Sequence, residues 1–214
     1  MKKIVYVGGV GEIVEKKSRF IATVTPVKTE QEALDVIAAK KKEYWDARHN
    51  CYAYIIGQNQ EVMRCSDDGE PAQTAGRPML DVLIGEDVYN AVVVVTRYFG
   101  GVLLGTGGLV RAYQGAVKAG LEACGIVEQS KGKTLTIATD YNGYGKIEYI
   151  LREYQVPVSD TAFGAEVELT VVVDETLWDS LPREIADKTS GTAKLTWGDE
   201  ILFGNYKGEV VLFQ

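Results

Sequence analysis

The sequence predicts an α+β protein built of two domains, and three observations carry that prediction. The chain has 214 residues, enough for two domains that each bury a core. A stretch at 126–134, "IVEQSKGKT", interrupts the periodic segments and reads as a linker. After it the pattern runs strand, helix, strand, strand, helix, strand over roughly 75 residues, the ferredoxin-like βαββαβ order. The expected domains are therefore 1–127 and 133–214.

In the first domain, "GEIVEKKSRFIATVTPV" reads as two short strands meeting near Lys16–Ser18, closed by Pro26. "KTEQEALDVIAAKKKEYW" is helical: Thr29 and Glu32 have capping-box spacing, and Ala33, Leu34, Ile37, Ala38 and Lys41 recur at three and four. "HNCYAYIIG" is a strand, with "EVMRC" as its hairpin partner. Glu70-Pro71 looks like a helix start. Pro78 cannot sit mid-helix unkinked, so a short helical turn and a second helix from Pro78 are expected. "YNAVVVVTRYF" is a strand whose unbroken apolar run predicts burial on both faces. A glycine-rich loop leads into a long helix with Thr106 as candidate N-cap. Leu109, Tyr113, Ala116, Gly120 and Ala123 form a small-residue stripe for close approach to a sheet.

In the second domain, "TLTIATD" is a strand and "YNGYGKIEYILREY" a helix, with Tyr144, Tyr149 and Tyr154 as packing residues. "VPVSDTAF" and "AEVELTVVV" are strands joined at Gly164. "DETLWDSLPREIADKT" is a helix and "TAKLTWGDEILF" a strand. The final "KGEVVLFQ" reads either as native tail or as partly added sequence.

An apolar fraction of 46% and a charged fraction of 25% are those of an ordinary globular protein. No apolar run is long enough to cross a membrane. The N-terminal apolar stretch is broken by Gly8, Gly9, Gly11 and Glu12 and makes a poor signal peptide, so a cytoplasmic location is expected. Cys51, Cys65 and Cys124 are odd in number with no metal-ligand spacing, and read as free, mostly buried thiols. The net charge of −7 is uneven. Residues 1–130 hold 15 Lys and Arg against 16 Asp and Glu, and 131–214 hold 8 against 14. Broad electrostatic binding of nucleic acid by the second half is thereby disfavoured, and any anion site belongs in the first.

The stretch with the most chemistry is "TRYFGGVLLGTGGLVRAY", 96–113. Strand, glycine loop and helix N-terminus is an anion-binding arrangement, and Arg97 and Arg111 lie within reach of it. The loop is neither a P-loop, since no lysine follows, nor a dinucleotide fingerprint, since Val110 stands where glycine is needed. Three readings stay open: glycines for positive φ and packing alone, a polyanion site such as RNA backbone, or a small phosphorylated ligand. Tyr98, Phe99 and Tyr113 flank the arginines, which suits stacking of RNA bases or a protein interface, with Phe99 read as core. Asp67, Asp68 and Glu70 read as a turn and helix cap, or as ligands for a divalent metal in a hydrolase. Arg77 is a candidate partner for one of them. His49 and Cys51 share a strand face, but at about 6.5–7 Å their spacing suits structural roles better than a catalytic dyad. No cofactor motif is present.

"RHNCYAYIIG", "CSDDGEPAQTAGRPMLDVL" and "VVVVTRYFGGVLLGTGGLVRAY", in that order, resemble the IMPACT family, in particular its bacterial YigZ-type members. The tail with "WGDE" is similar to the second domain of those members. The resemblance implies a first domain like the α/β sandwich of domain two of ribosomal protein S5. It implies a second domain like the C-terminal domain of translocating elongation factors. Eukaryotic relatives regulate translation by competing for the activator of an initiation-factor kinase. The expected function is therefore a non-enzymatic regulator whose partner is a ribosome, RNA or a translation-associated protein, with neither DNA nor a membrane involved. A pure protein–protein regulator and the metal-assisted hydrolase are the alternatives. The expected surface combines Arg48, His49, Asp68, Glu70, Arg77, Arg97, Tyr98, Gly100, Gly101, Gly105, Gly107, Gly108, Arg111 and Tyr113.

Overall fold

A computed structural model of the chain describes residues 2–213. It divides into two compact units, Met1–Glu128 and Gln129–Gln214. In the first unit, β1 (Lys3–Val7), β2 (Gly9–Glu15) and β3 (Ser18–Pro26) precede helix α1 (Glu30–Glu43). The hairpin β4 (His49–Ile56) and β5 (Val62–Ser66) follows, then α2 (Gly76–Gly85), β6 (Val88–Tyr89), β7 (Ala91–Tyr98), α3 (Thr106–Glu122) and β8 (Gly125–Glu128). Five strands form one sheet in the order β2-β3-β7-β4-β5, and β6-β1-β8 form a smaller one.

Strand β7 is the axis of this unit, and its parity explains the layers. Ala91, Val93 and Val95 join Phe20, Ala22 and Val24 of β3 and Cys51, Ala53 and Ile55 of β4 in a core capped by α2 and α3. Val92 and Val94 face the opposite way, with Tyr54 and Ile56, against Ala33 and Ile37 of α1. A strand buried on both faces has no use for alternating polarity, so the run "AVVVV" is what this position requires. Thr29 caps α1 by accepting from the Glu32 amide at 3.2 Å. Glu32 answers at the Lys28 amide, 2.6 Å away, one residue earlier than the expected capping box. Leu34 and Ala38 turn to solvent, and Val36 takes their place beside the core.

The stripe on α3 works as expected as far as Gly120, where a Cβ would lie 2.9 Å from a Val24 methyl and 3.1 Å from the Ala22 Cβ. Ala123 lies beyond it, exposed at the helix end. The closest approach comes from the sheet: a Cβ on Gly11 of β2 would stand 2.3 Å from the Ala119 carbonyl carbon. The β2 backbone therefore lies directly on α3, an arrangement that no other residue allows there.

Three local expectations need correction. No helix begins at Glu70-Pro71: residues 67–75 form turns, and α2 starts at Gly76. Pro78 falls in the first turn of α2, where its missing N–H costs nothing. Helix α3 is capped by Gly105 at φ 72°, with Thr106 its first residue. The supposed linker is not loose chain either. β8 pairs antiparallel with β1, and β9 (Ser130–Thr139) begins after Gln129 alone.

In the second unit β9 is followed by α4 (Tyr141–Glu153), β10 (Val158–Phe163), β11 (Val167–Asp174), a 3₁₀ turn (Glu175–Leu177), α5 (Ser180–Thr189), β12 (Lys194–Tyr206) and β13 (Glu209–Phe213). The strand order β10-β11-β9-β12-β13, antiparallel throughout, is the ferredoxin-like sheet with one strand added. That extra strand comes from the tail "KGEVVLFQ". Leu135, Ile137, Leu169 and Val171 share a core with Ile147 and Ile150 of α4 and Leu181 and Ile185 of α5, so both helices cover one face. Tyr144 and Tyr154 pack against that core, while Tyr149 is exposed.

Replacing Gly11 by valine would force β2 and α3 apart. Equilibrium urea unfolding should show a stability loss of about 1–3 kcal/mol, with a larger loss than for the same change at Gly85, where a Cβ would meet nothing within 4 Å.

Candidate functional site

Arg97 continues the odd-numbered series of β7, so its side chain enters the core side of the sheet rather than solvent. It is 6% exposed. Burying a guanidinium requires a partner, and the turn before α2 supplies one. Arg97 Nη1 donates to Glu70 Oε1 at 2.6 Å, and Glu70 is itself buried. The same carboxylate oxygen accepts from the Tyr113 hydroxyl of α3 at 2.8 Å. Arg97 Nη2 reaches Ser18 Oγ at 3.4 Å, which also accepts from the Gly100 amide at 3.2 Å. The rings of Phe20 and Phe99 lie 5.4 and 5.6 Å from the guanidinium carbon, and Tyr113 meets Phe20 edge-on. One donor, Arg97 Nε, is buried with no hydrogen-bond partner among the described residues.

The three acidic residues of the turn are each committed elsewhere. Asp67 serves as a distant cap for α2: Oδ1 accepts from the Ala75 and Gly76 amides, and Oδ2 from Gln73. Asp68 accepts from the Asn50 amide at 2.7 Å and pairs with Lys41 of α1. Glu70 belongs to Arg97 and Tyr113. Among the described residues, no three His, Cys, Asp or Glu side chains are grouped to hold a metal ion, and these carboxylates do not converge. Arg77, a candidate partner for them, pairs instead with Asp81 one turn along α2.

His49 and Cys51 do share a face of β4 but do not bond to each other. His49 Nδ1 is 2.8 Å from the Asp68 carbonyl, which can only accept, so Nδ1 carries the proton. His49 Nε2 faces Glu70 Oε2 at 3.9 Å. The Cys51 thiol lies 3.0 Å from the Asp67 carbonyl and 3.3 Å from the Tyr113 hydroxyl. Burial pushes this thiol up to about 12, and burial together with Cys51 and Glu70 raises the Tyr113 phenol further. A thiol so held is no nucleophile. Of the other cysteines, expected mostly buried, Cys65 is exposed and Cys124 half-buried.

The remaining expected residues gather at the end of the sheet where β3 and β4 begin and β7 ends. Register puts Arg19 opposite Tyr98, and Phe20, Arg97 and His49 side by side in the next row. The Tyr98 hydroxyl donates to Asp46 at 2.9 Å, which ties the end of β7 to the turn before β4. Arg48 in that turn is exposed, as are Gly101, Gly105 and Gly107, while Gly100 and Gly108 are half-buried. Gly100 is packed so tightly on the hairpin that a Cβ would stand 2.0 Å from the Lys17 carbonyl carbon. Gly101 and Gly105 have φ of 83° and 72°. Close packing and positive φ thus account for three of the five glycines. Arg111 is exposed and lines a cavity of about 220 Å³ with Ile13, Glu15, Lys16, Leu104, Gly108 and Ala112.

Sequence reasoning missed the apolar part of this surface. Phe99, expected in the core, is 47% exposed; Trp45 is 82% and Leu103 83% exposed, with Val102 beside it. The signal was "FGGVLLG", in which large apolar side chains sit among glycines that have no core to offer them.

Comparison with known proteins identifies both halves of the chain. The Impact N-terminal domain model covers residues 16–121, and a domain of unknown function, DUF1949, covers 137–192. The chain is similar to the IMPACT family member YvyE of Bacillus subtilis, 42% identical over 89% of this chain and 88% of that one. It is 35% identical to the IMPACT family member YigZ of Escherichia coli over 84% and 89% of the two chains. The crystal structure of a hypothetical protein, 33% identical, matches 91% of this chain and 97% of its own with a TM-score of 0.57. The chain belongs to the IMPACT family.

Two measurements test the network. Arg97→Met leaves Glu70 buried and unpaired, and should cost about 3–5 kcal/mol in urea unfolding. Adding Glu70→Leu should restore more than half of that loss. Thiol labelling at pH 8 should modify Cys65 quickly and Cys51 only after denaturation, since about one Cys51 in ten thousand is thiolate there. Because the folded Cys51 stays protonated above its ordinary value of 9.0, its contribution to stability is complete below that pH. It is lost as the pH climbs towards 12.

Proposed function

We propose that this protein is a non-enzymatic binding protein acting on the translation apparatus, and that it meets its partner with the sheet end formed by the starts of β3 and β4 and the end of β7. The single observation that carries the binding role is the exposure of Trp45, Phe99, Val102 and Leu103 on a rigidly supported surface. Burying a large apolar side chain is worth about 1.5–3 kcal/mol, and a fold that holds several in solvent on one edge forgoes that gain unless a partner covers them. Support for translation as the process comes from the family resemblance, which implies that role for the eukaryotic relatives. The chemistry of the network supports binding over catalysis. Its carboxylates are consumed by protein partners, and its one buried thiol is held protonated.

Of the four arginines expected to face a partner, the two that flank the glycine loop have different positions. Arg111 is exposed, but Arg97 is spent on Glu70 and reaches the surface only through Phe99, which it backs. A protein component is therefore the favoured direct partner, with Phe99 and its neighbours as contacts and Arg97 as their support.

The test is co-sedimentation with ribosomes from the encoding organism at low and moderate salt, with Trp45→Ser plus Leu103→Ser beside the wild type. The wild type should pellet, and the variant should lose affinity by about tenfold or more. A wild type that stays in the supernatant at both salts overturns the translation reading. A variant that pellets equally well moves the binding surface elsewhere.

A further inference from the structure

The charges around this sheet end say what kind of segment it would cover. Lys16 and Lys17 form the tip of the β2–β3 hairpin, both at positive φ and both exposed. Gly100 rests on the Lys17 backbone, so the tip lies beside the start of the loop that carries Val102 and Leu103. Arg48 is three residues from Trp45 in the turn before β4, a turn fixed by Asn50 Nδ2 on the Tyr44 carbonyl and by the Asp46–Tyr98 bond. Arg111 and Lys16 line one cavity. None of these four cations has an ion-pair partner among the described residues, whereas Arg19 is held by Glu12 and Lys41 by Asp68. The acids around it are Glu15, the Asp46 that accepts from Tyr98, and Glu43, which pairs with Lys40. An edge with four unpaired cations belongs to a chain of net charge −7, so the local sign opposes the global one.

We propose that this sheet end docks an acidic, apolar segment of a partner protein, a stretch in which Leu, Phe or Met side chains alternate with Asp and Glu. The inference rests on the reading above that this edge is the recognition surface, and it specifies the partner's chemistry. The two most exposed large apolar side chains among the described residues, Leu103 and Trp45, supply the anchors. Arg48 shares a turn with Trp45 and Lys17 underlies the loop of Leu103, and together with Lys16 and Arg111 they supply a polar rim, the usual anatomy of a protein interface. Ribonucleic acid fits less well. Leu103 and Val102 present no π-face for a base. Glu15 lines the cavity with Lys16 and Arg111, where it would repel a phosphate. The arginine deepest in the site is neutralised by Glu70.

The experiment uses fluorescence anisotropy on the full chain with four labelled probes. They are a short peptide in which Leu and Phe alternate with Glu and Asp, the same peptide with Lys for its acids, the same with Ser for its apolar residues, and oligouridine of similar length. The acidic apolar peptide should bind. The Lys and Ser versions should bind at least about tenfold more weakly, and oligouridine should not bind. Leu103→Ser and the pair Lys17→Glu with Arg48→Glu should each weaken the acidic peptide by about tenfold, with unfolding midpoints unchanged because all three residues are exposed. Failure of the acidic peptide to bind, or equal binding of its Lys version, overturns the proposal. Oligouridine binding that is lost in the same variants assigns the edge to RNA instead. Excess acidic peptide should also release the protein from ribosomes. Pelleting that the peptide leaves untouched, yet Trp45 and Leu103 control, would sink this inference and leave the broader reading standing.

Discussion

The Arg97–Glu70 pair is the interaction around which the first unit is arranged. A guanidinium on the core side of a central strand is tolerable only with a carboxylate in reach and further bonds to its remaining donors. Glu70 comes from a turn that has no regular structure of its own, and that turn is built to deliver it. Asp67 holds three amides at the start of α2, and Asp68 is pinned by the Asn50 amide and Lys41. Tyr113 then ties the pair to α3, and Ser18 ties it to β3 and the glycine loop. One ion pair therefore fixes the relative positions of β3, β7, α3, the acidic turn and the loop.

An apolar pair of the same volume would fill the space at lower desolvation cost, so stability alone does not account for the choice. What an apolar pair lacks is direction. The Arg97 guanidinium is planar, its donors define where Glu70 and Ser18 must lie, and it sits over the rings of Phe20 and Phe99. Phe99 is half in solvent and has no apolar bed of its own; the arginine provides one. The buried charge thus sets the orientation of an exposed ring, which links the core of the sheet to the surface at its end.

Much of the fold is legible in the sequence because its signals are local. The capping residues of α1, the two-faced apolar run of β7 and the βαββαβ rhythm of the second unit depend on neighbours a few positions apart. Several of the failures are long-range. Asp67 caps a helix that starts nine residues later, and the sequence between them carries no cap signal. The segment 126–134 looked like a linker because its residues are small and polar. Yet Ile126 and Val127 pair with β1, while Lys131 and Lys133 sit on β9 opposite Leu202 and Glu200 of β12. For the site, the three motifs do fold together, since His49, Glu70, Arg97 and Tyr113 meet in one network. Their exposure was misjudged. Strict alternation from Val93 and Val95 puts Arg97 inside, against the expectation of a surface residue, and Phe99, expected in the core, lies beyond the strand where alternation ends.

That misjudgement separates two roles that the sequence had merged. The residues with the most distinctive chemistry, Arg97, Glu70, Tyr113, Cys51 and His49, form the support. The residues that meet solvent are plainer: a tryptophan, a phenylalanine, a leucine and a few unpaired cations on glycine-bounded turns. A binding surface made of loops is precise only when something rigid holds those loops. Here Gly100 is clamped to the hairpin backbone and to Ser18, the Trp45 turn is held by Asn50 and Tyr98, and Phe99 lies on Arg97. Each exposed anchor is therefore one or two bonds from the buried network. A change at Glu70 would be felt at Phe99 through Arg97 without any contact to a partner, whereas a change at Leu103 would alter binding and leave the fold intact.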